Sequence, residues 1–224
     1  MELELVAFDF NGTFLADTQA CLDAANTILR QFKGEEIGIS TYRRTLVFPT
    51  LDFYVRHGCN RKELLSHAEE IAEVWHGIYE ARVEQCRTRR GSKEVLKVLR
   101  NEGIATIVVS NHTQYGVQRQ IERLQLGPFN HVLANPDKLA TMDGKNKAQR
   151  LEEHVREMSY SPLGIWVVGD APEDVEMGKR IHARTVALTG GCYDAARLKA
   201  AQPDYMISCL TQLIGIVKER KELR

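Results

Sequence analysis

The chain lacks any overall bias of charge: Lys and Arg number 30, and Asp and Glu also number 30, over 224 residues. That balance excludes the long-range attraction to nucleic acid or anionic lipid that a strongly basic protein carries. The short basic runs, Arg87, Arg89 and Arg90 and the last seven residues, read as solvated faces. There is no Cys-x-x-Cys pair. Cys21, Cys59, Cys86, Cys192 and Cys209 are scattered, so neither a zinc site nor a dithiol redox motif is indicated. An odd cysteine count without a signal-peptide pattern fits a reducing, cytoplasmic setting. No apolar run is long enough to span a membrane. Internal repeats and low-complexity tracts are absent too.

What is present is organised around Leu5-Val6-Ala7-Phe8-Asp9-Phe10-Asn11-Gly12-Thr13-Phe14-Leu15. The run before Asp9 has no polar alternation, as in a parallel strand buried on both faces. Asp9 then closes that strand at its carboxyl end, where open α/β sheets bind ligands. Gly12 permits a sharp backbone exit. A carboxylate ending a buried strand is costly unless a metal ion or ligand pairs with it.

From Asp17 to about residue 86 the apolar residues recur at helical spacing. Leu22, Ala25, Ile28, Leu29 and Phe32 mark one helical face, with Asp17 or Thr18 as its cap. Residues 39–58 read as helix, break and helix around Phe48-Pro49-Thr50, and residues 61–85 as one long helix or two. No strand is expected from 16 to 86, so this block is an insertion in a βαβ chain. From Gly91 onward, strands and helices alternate. Strands are expected at 104–109, 131–134, 165–168, 185–188 and 205–207. Helices are expected after Ser92 and over 113–126, 146–158, 172–181 and 209–222. The expected fold is a doubly wound parallel α/β sheet, residues 1–15 and 87–224, with an all-helical cap over 16–86.

Three expected strands end in polar groups suited to one reaction: Asp9, Ser110-Asn111, and Asp170 with Asp174. In a parallel sheet these ends share an edge and converge on one ligand. Taken singly, Ser110-Asn111 reads as a helix cap and Gly169-Asp170 as a turn. Together, in order, they read as a site.

These residues resemble the signatures of the haloacid dehalogenase-like hydrolases, in particular the phosphoglycolate phosphatase-like branch with a small helical cap. Asp9-x-Asn11-Gly12-Thr13 is similar to the first signature, Val109-Ser110-Asn111 to the second, and Gly169-Asp170 through Asp174 to the fourth. Asp143 to Ala148 lies where the third signature places one lysine. Lys145 fits it better than Lys147, because Ala148 and Leu151 then take the apolar positions.

The resemblance implies a Mg²⁺-dependent phosphatase acting on a small phosphorylated metabolite, with no nucleic acid or membrane partner, as a monomer or homodimer. Asp9 would be the nucleophile. Asp9, the main chain of Asn11, Asp170 and Asp174 would hold the metal. Ser110, Asn111, Gly12 and Thr13 would hold the substrate, and Lys145 would neutralise charge. This sequence carries Asn11 where the family has a second aspartate that donates and recovers a proton, and an amide does not titrate near neutrality. Slow turnover is expected unless the leaving group is a good one, and a phospho-ligand sensor is the competing reading. His112 is a candidate substitute acid, though a solvent-facing loop histidine is the plainer expectation. Tyr42, Arg43, Arg44, Arg56 and His57 are candidates for the far end of the substrate, with cap-surface residues as the plainer expectation again.

Overall fold

The structure is a computed structural model that describes residues 3–143 and 146–222. Its centre is a six-stranded sheet of β1 (Leu5–Phe8), β2 (Ala105–Thr113), β3 (His131–Asn135), β4 (Ile165–Gly169), β5 (Arg184–Leu188) and β6 (Tyr205–Ile207), in the order β3-β2-β1-β4-β5-β6. Every neighbouring pair is parallel. Side chains alternate across the sheet as the pleat demands. Leu5, Ala7, Ile107, Val109, Ile165 and Val167 pack into one core, and Val6, Phe8, Val108, Trp166 and Val168 into the other. Both faces are covered, which is why the strands read as continuous apolar runs.

Between β1 and the next strand lie α1 (Thr18–Gln31), α2 (Ile39–Thr45), α3 (Thr50–Arg56), α4 (Arg61–Ser66), α5 (Ala68–Val83) and α6 (Ser92–Asn101). The first five form the helical block, and α1 packs along α5. The 61–85 stretch is two helices: Asn60 caps α4 by accepting from the Glu63 N–H, and α5 starts afresh after His67. The remaining helices are α7 (Gln114–Leu124), α8 (Ala140–Asp143), α9 (Asn146–Met158), α10 (Pro172–Arg180), α11 (Ala195–Ala200) and α12 (Thr211–Glu222). Short α8 and α11 have no counterpart in the sequence reading. No described helix is long and apolar enough to cross a membrane.

Two caps differ from expectation. Ser92 does not cap α6; Gly91, in the left-handed region, precedes it, and the Ser92 hydroxyl donates to the Arg89 carbonyl at 2.7 Å. Asp17 precedes α1 but its side chain caps nothing there. The sheet reverses its order at β1, which has β2 on one side and β4 on the other. That switch point leaves a crevice beyond the strands' carboxyl ends, and the helical block covers it.

Candidate active site

Asp9 follows β1 directly, and its N–H donates to the Val168 carbonyl at 2.8 Å. The chain then turns at Gly12, whose φ of +74° lies in the left-handed region. A Cβ there would also stand 2.3 Å from Asp170 Oδ2, so only glycine lets the Asp9 loop approach Asp170. Asp170 follows β4, and Asp174 sits in the first turn of α10. Oxygens of Asp9, Asp170 and Asp174 lie within 4.8 Å of one another, all three residues buried.

One described cation enters this cluster. The Lys147 ammonium donates to Asp9 Oδ1 at 2.5 Å and to Asp174 Oδ1 at 2.6 Å. Burial alone would lower its pKa, but Asp174 and Asp9 overcome burial and raise it, so Lys147 stays charged. Burial, and then the charges of Asp9 and Asp174, push the Asp170 carboxyl well up. Burial raises Asp174 to about 6, with Lys147 opposing. Ionised together, the three buried acids would carry more negative charge than one ammonium offsets. An all-oxygen donor set with that excess fits a hard divalent cation such as Mg²⁺. All three acids have contacts of their own: Asp9 Oδ1 and Asp174 Oδ1 with Lys147, Asp174 Oδ2 with the Ala171 N–H at 3.0 Å, and Asp170 with Thr13 Oγ1 and the Cys192 N–H.

Lys145 lies outside the described residues. Among the described residues, Lys147 is the lysine brought to Asp9. It shares an inward α9 face with buried Leu151 and Val155, four and eight residues on.

Asn11 is held in place. Its amide nitrogen donates to Asp17 Oδ2 at 2.7 Å and to the Tyr79 hydroxyl at 2.6 Å, and its Oδ1 accepts from Ser110 Oγ at 3.3 Å. Tyr79, from α5, also donates to Asp17 Oδ2 at 2.7 Å. Asp17 is fully buried; burial raises its pKa, opposed by the bonds from Asn11, Tyr79 and Gly12. The helical block is thus tied to the Asp9 loop through Tyr79.

Several expected roles need correction. The Gly12 N–H donates to Asp17 Oδ1 at 2.7 Å, and Thr13 Oγ1 to Asp170 Oδ1 at 3.4 Å. Both residues brace the loop through these contacts. Ser110 is not a strand terminus, since β2 runs on to Thr113 past a register shift after Val109. Its Oγ accepts from the His112 N–H at 3.0 Å, and its carbonyl accepts from Arg150 at 2.8 Å. The Asn111 carbonyl accepts from Asn135 at 2.6 Å, while its buried Oδ1 has no partner among the described residues. His112 is buried rather than solvent-facing, and its Nε2 meets Glu80 Oε1 at 3.0 Å.

Three residues gained roles that the sequence reading did not give them. Arg89, read as solvated, donates to the Gly12 carbonyl and the Thr189 carbonyl, each at 2.5 Å. Arg150 ties Ser110 to Asn135. Asp17, read as a cap, anchors the Gly12 turn.

Between the sheet edge and the helical block lies a cavity of about 150 Å³. Asp9, Ser110, Lys147 and Asp170 line its floor, and Tyr42, Phe48, Phe53, Tyr54 and Trp75 its far wall. Trp75 stacks on Tyr79 with ring centroids 4.8 Å apart.

A family model described as haloacid dehalogenase-like hydrolase matches residues 6–188. A phosphoglycolate phosphatase from Synechococcus elongatus is 22% identical over 218 residues, 97% of this chain and 98% of that protein. The pyrophosphatase PpaX of Bacillus mycoides is 22% identical over 221 residues, again 97% and 98%. A haloacid dehalogenase-like family hydrolase from Streptococcus pneumoniae has a solved structure with a TM-score of 0.79. At 16% identity, and with 96% of this chain and 98% of that one covered, the likeness is one of fold.

Proposed function

We propose that this chain, which belongs to the haloacid dehalogenase-like hydrolase family, is a Mg²⁺-dependent phosphatase acting on a small phosphorylated metabolite through Asp9. The observation that carries the reading is the contact of Lys147 with Asp9 beside Asp170: a carboxylate paired with an ammonium among groups suited to a phosphoryl dianion. Asp9, Asp170 and the Asn11 main chain would hold Mg²⁺, which when bound would offset the repulsion between carboxylate and phosphate. Residues 16–86 serve as the cap that excludes water.

An Asp9 oxygen bonds to phosphorus while the ester P–O bond breaks, its electron pair leaving with the ester oxygen. Lys147 stabilises the charge spread over the transferring group, and Ser110 holds one of its oxygens. Water then attacks phosphorus, frees the Asp9 carboxylate and releases phosphate, with its surplus proton passing to solvent. Asn11 contributes position only. Its amide is fixed by Asp17 and Tyr79, so the departing oxygen leaves unprotonated by this residue.

That locked amide also favours a second reading, a sensor that binds a phosphate ester and turns it over negligibly. p-Nitrophenyl phosphate separates the two, because its leaving group needs no proton. Hydrolysis that is abolished by EDTA and absent in Asp9→Asn supports the phosphatase. Binding without hydrolysis supports the sensor.

A further inference from the structure

The cavity above Asp9 has a composition that bears on what occupies it. The whole cavity is about 150 Å³; a wholly apolar cavity of about that size holds one benzene ring, and here the phosphoryl group shares the space, so the rest of the ester is no larger than one ring. The wall opposite the carboxylates is aromatic and aliphatic: Tyr42, Leu46, Phe48, Phe53, Tyr54 and Trp75. Lys147 is the only lysine or arginine lining it among the described residues, and its ammonium is bonded to Asp9 and Asp174. Three basic residues of the helical block are turned to other tasks. Arg43 donates to the carbonyls of Gly191 and Gly190, and Arg44 to the hydroxyls of Ser40 and Thr41. His57 meets Thr45.

Asn111 and Glu173 line the cavity, and each has a buried side-chain oxygen without a donor among the described residues, Asn111 Oδ1 and Glu173 Oε2. Neither oxygen offers a donor to a second anionic group. The substrates in the names of the relatives, phosphoglycolate and pyrophosphate, each carry such a second anionic group. Asn11 adds an independent constraint. Without a proton donor at that position the leaving oxygen must depart as an anion. A phenol is about as acidic as tyrosine, near pKa 10, and so leaves far more readily than an alkoxide.

Resting on the phosphatase reading above, we infer that the substrate is a single-ring aryl phosphate whose leaving group carries no second anion. Asp9 oxygen bonds to phosphorus, the aryl P–O bond breaks, and the pair leaves on a phenolate that takes its proton from solvent. Water completes hydrolysis to phosphate and the phenol. The ring lies against the Trp75 and Phe53 wall, and Lys147 and Ser110 keep the phosphoryl end at the floor.

The test compares kcat/KM for phenyl phosphate, 2-phosphoglycolate and pyrophosphate, with the full chain and Mg²⁺. In parallel, it compares binding of the non-hydrolysable phenylphosphonate and phosphonoacetate. Phenyl phosphate is expected to lead by about tenfold or more, because an unpaired anion on an apolar wall is heavily penalised. Phenylphosphonate is expected to bind tighter than phosphonoacetate. Phe48→Arg, at the half-buried part of the wall, should shrink both ratios. Turnover that favours phosphoglycolate or pyrophosphate overturns the inference and leaves the phosphatase reading standing. If no ester is hydrolysed, the phosphatase reading fails, and tighter binding of phosphonoacetate than of phenylphosphonate still overturns this one.

Discussion

The two sides of the cavity are built on opposite principles. On the sheet side, every functional side chain is charged or polar, buried, and held by named partners: Lys147 between Asp9 and Asp174, Asp170 against the Cys192 N–H, Ser110 between Asn11 and His112. On the helical side the wall is made of rings packed on rings, with Phe53 in edge contact with Tyr42, Tyr54 and His57. The first side works through charge at short range and fails when one partner is lost. The second works through shape and area and tolerates graded change. Chemistry common to phosphate esters therefore belongs to the sheet edge, and the choice among esters belongs to the inserted helices.

That contrast breaks hardest at Lys147. Lys147→Ala leaves Asp9, Asp170 and Asp174 crowded without a cation and is expected to destabilise the metal-free protein by about 3–5 kcal/mol. Lys145→Ala is expected to cost under about 0.5 kcal/mol. Urea unfolding of both variants in EDTA measures the difference, and the reverse order would move the role to Lys145.

A second break is Asn11→Asp. The new carboxylate would stand where the amide now donates to Asp17 Oδ2 at 2.7 Å, so the two acids must share a proton. Turnover of esters with poor leaving groups is expected to rise by up to about 10²-fold, and that of p-nitrophenyl phosphate far less. A steady-state series over leaving groups reads this as a flatter dependence on leaving-group acidity. Unchanged or lower turnover on alkyl esters would contradict the account of Asn11.

The smallest effect sharpens the comparison on the helical side. His76 of α5 is buried against His112 and bonds Thr141 Oγ1 at 3.0 Å. Burial, with the neighbouring His112 acting the same way and Lys138 adding to it, lowers its pKa from 6.5 to about 4; Glu80 and Glu73 oppose. The folded protein thus keeps His76 neutral where the unfolded chain protonates it. Its contribution is whole above about pH 6.5, is lost as pH falls toward 4, and levels off below. The loss amounts to about 1–3 kcal/mol. Urea midpoints from pH 7 to 4 for wild type and His76→Leu check this, the variant having the shallower slope.

The sheet was legible because a strand covered on both faces admits few polar residues, so Asp9 and Asp170 stand out where the runs stop. The helix from Asn146 to Met158 was equally plain. That Lys147 faces inward was not, although Lys147, Leu151 and Val155 share one face at spacings of four and the signal was present. Asp17 was read as a cap because local sequence shows only its neighbour helix. Its true partners, Asn11 and Tyr79, are joined by tertiary packing. The aromatic wall was invisible for the same reason: Tyr42, Phe53 and Trp75 come from three separate helices, and only their assembly makes one surface.

The central claim is that an Asp9 carboxylate oxygen receives the phosphoryl group. A crystal structure of the protein with Mg²⁺ and beryllium fluoride tests it most directly. The account predicts beryllium bonded to an Asp9 carboxylate oxygen, with Lys147 and Ser110 against the fluorines. Beryllium fluoride bonded to another residue, or Asp9 left bare while the fluoride complex occupies the cavity, would contradict it.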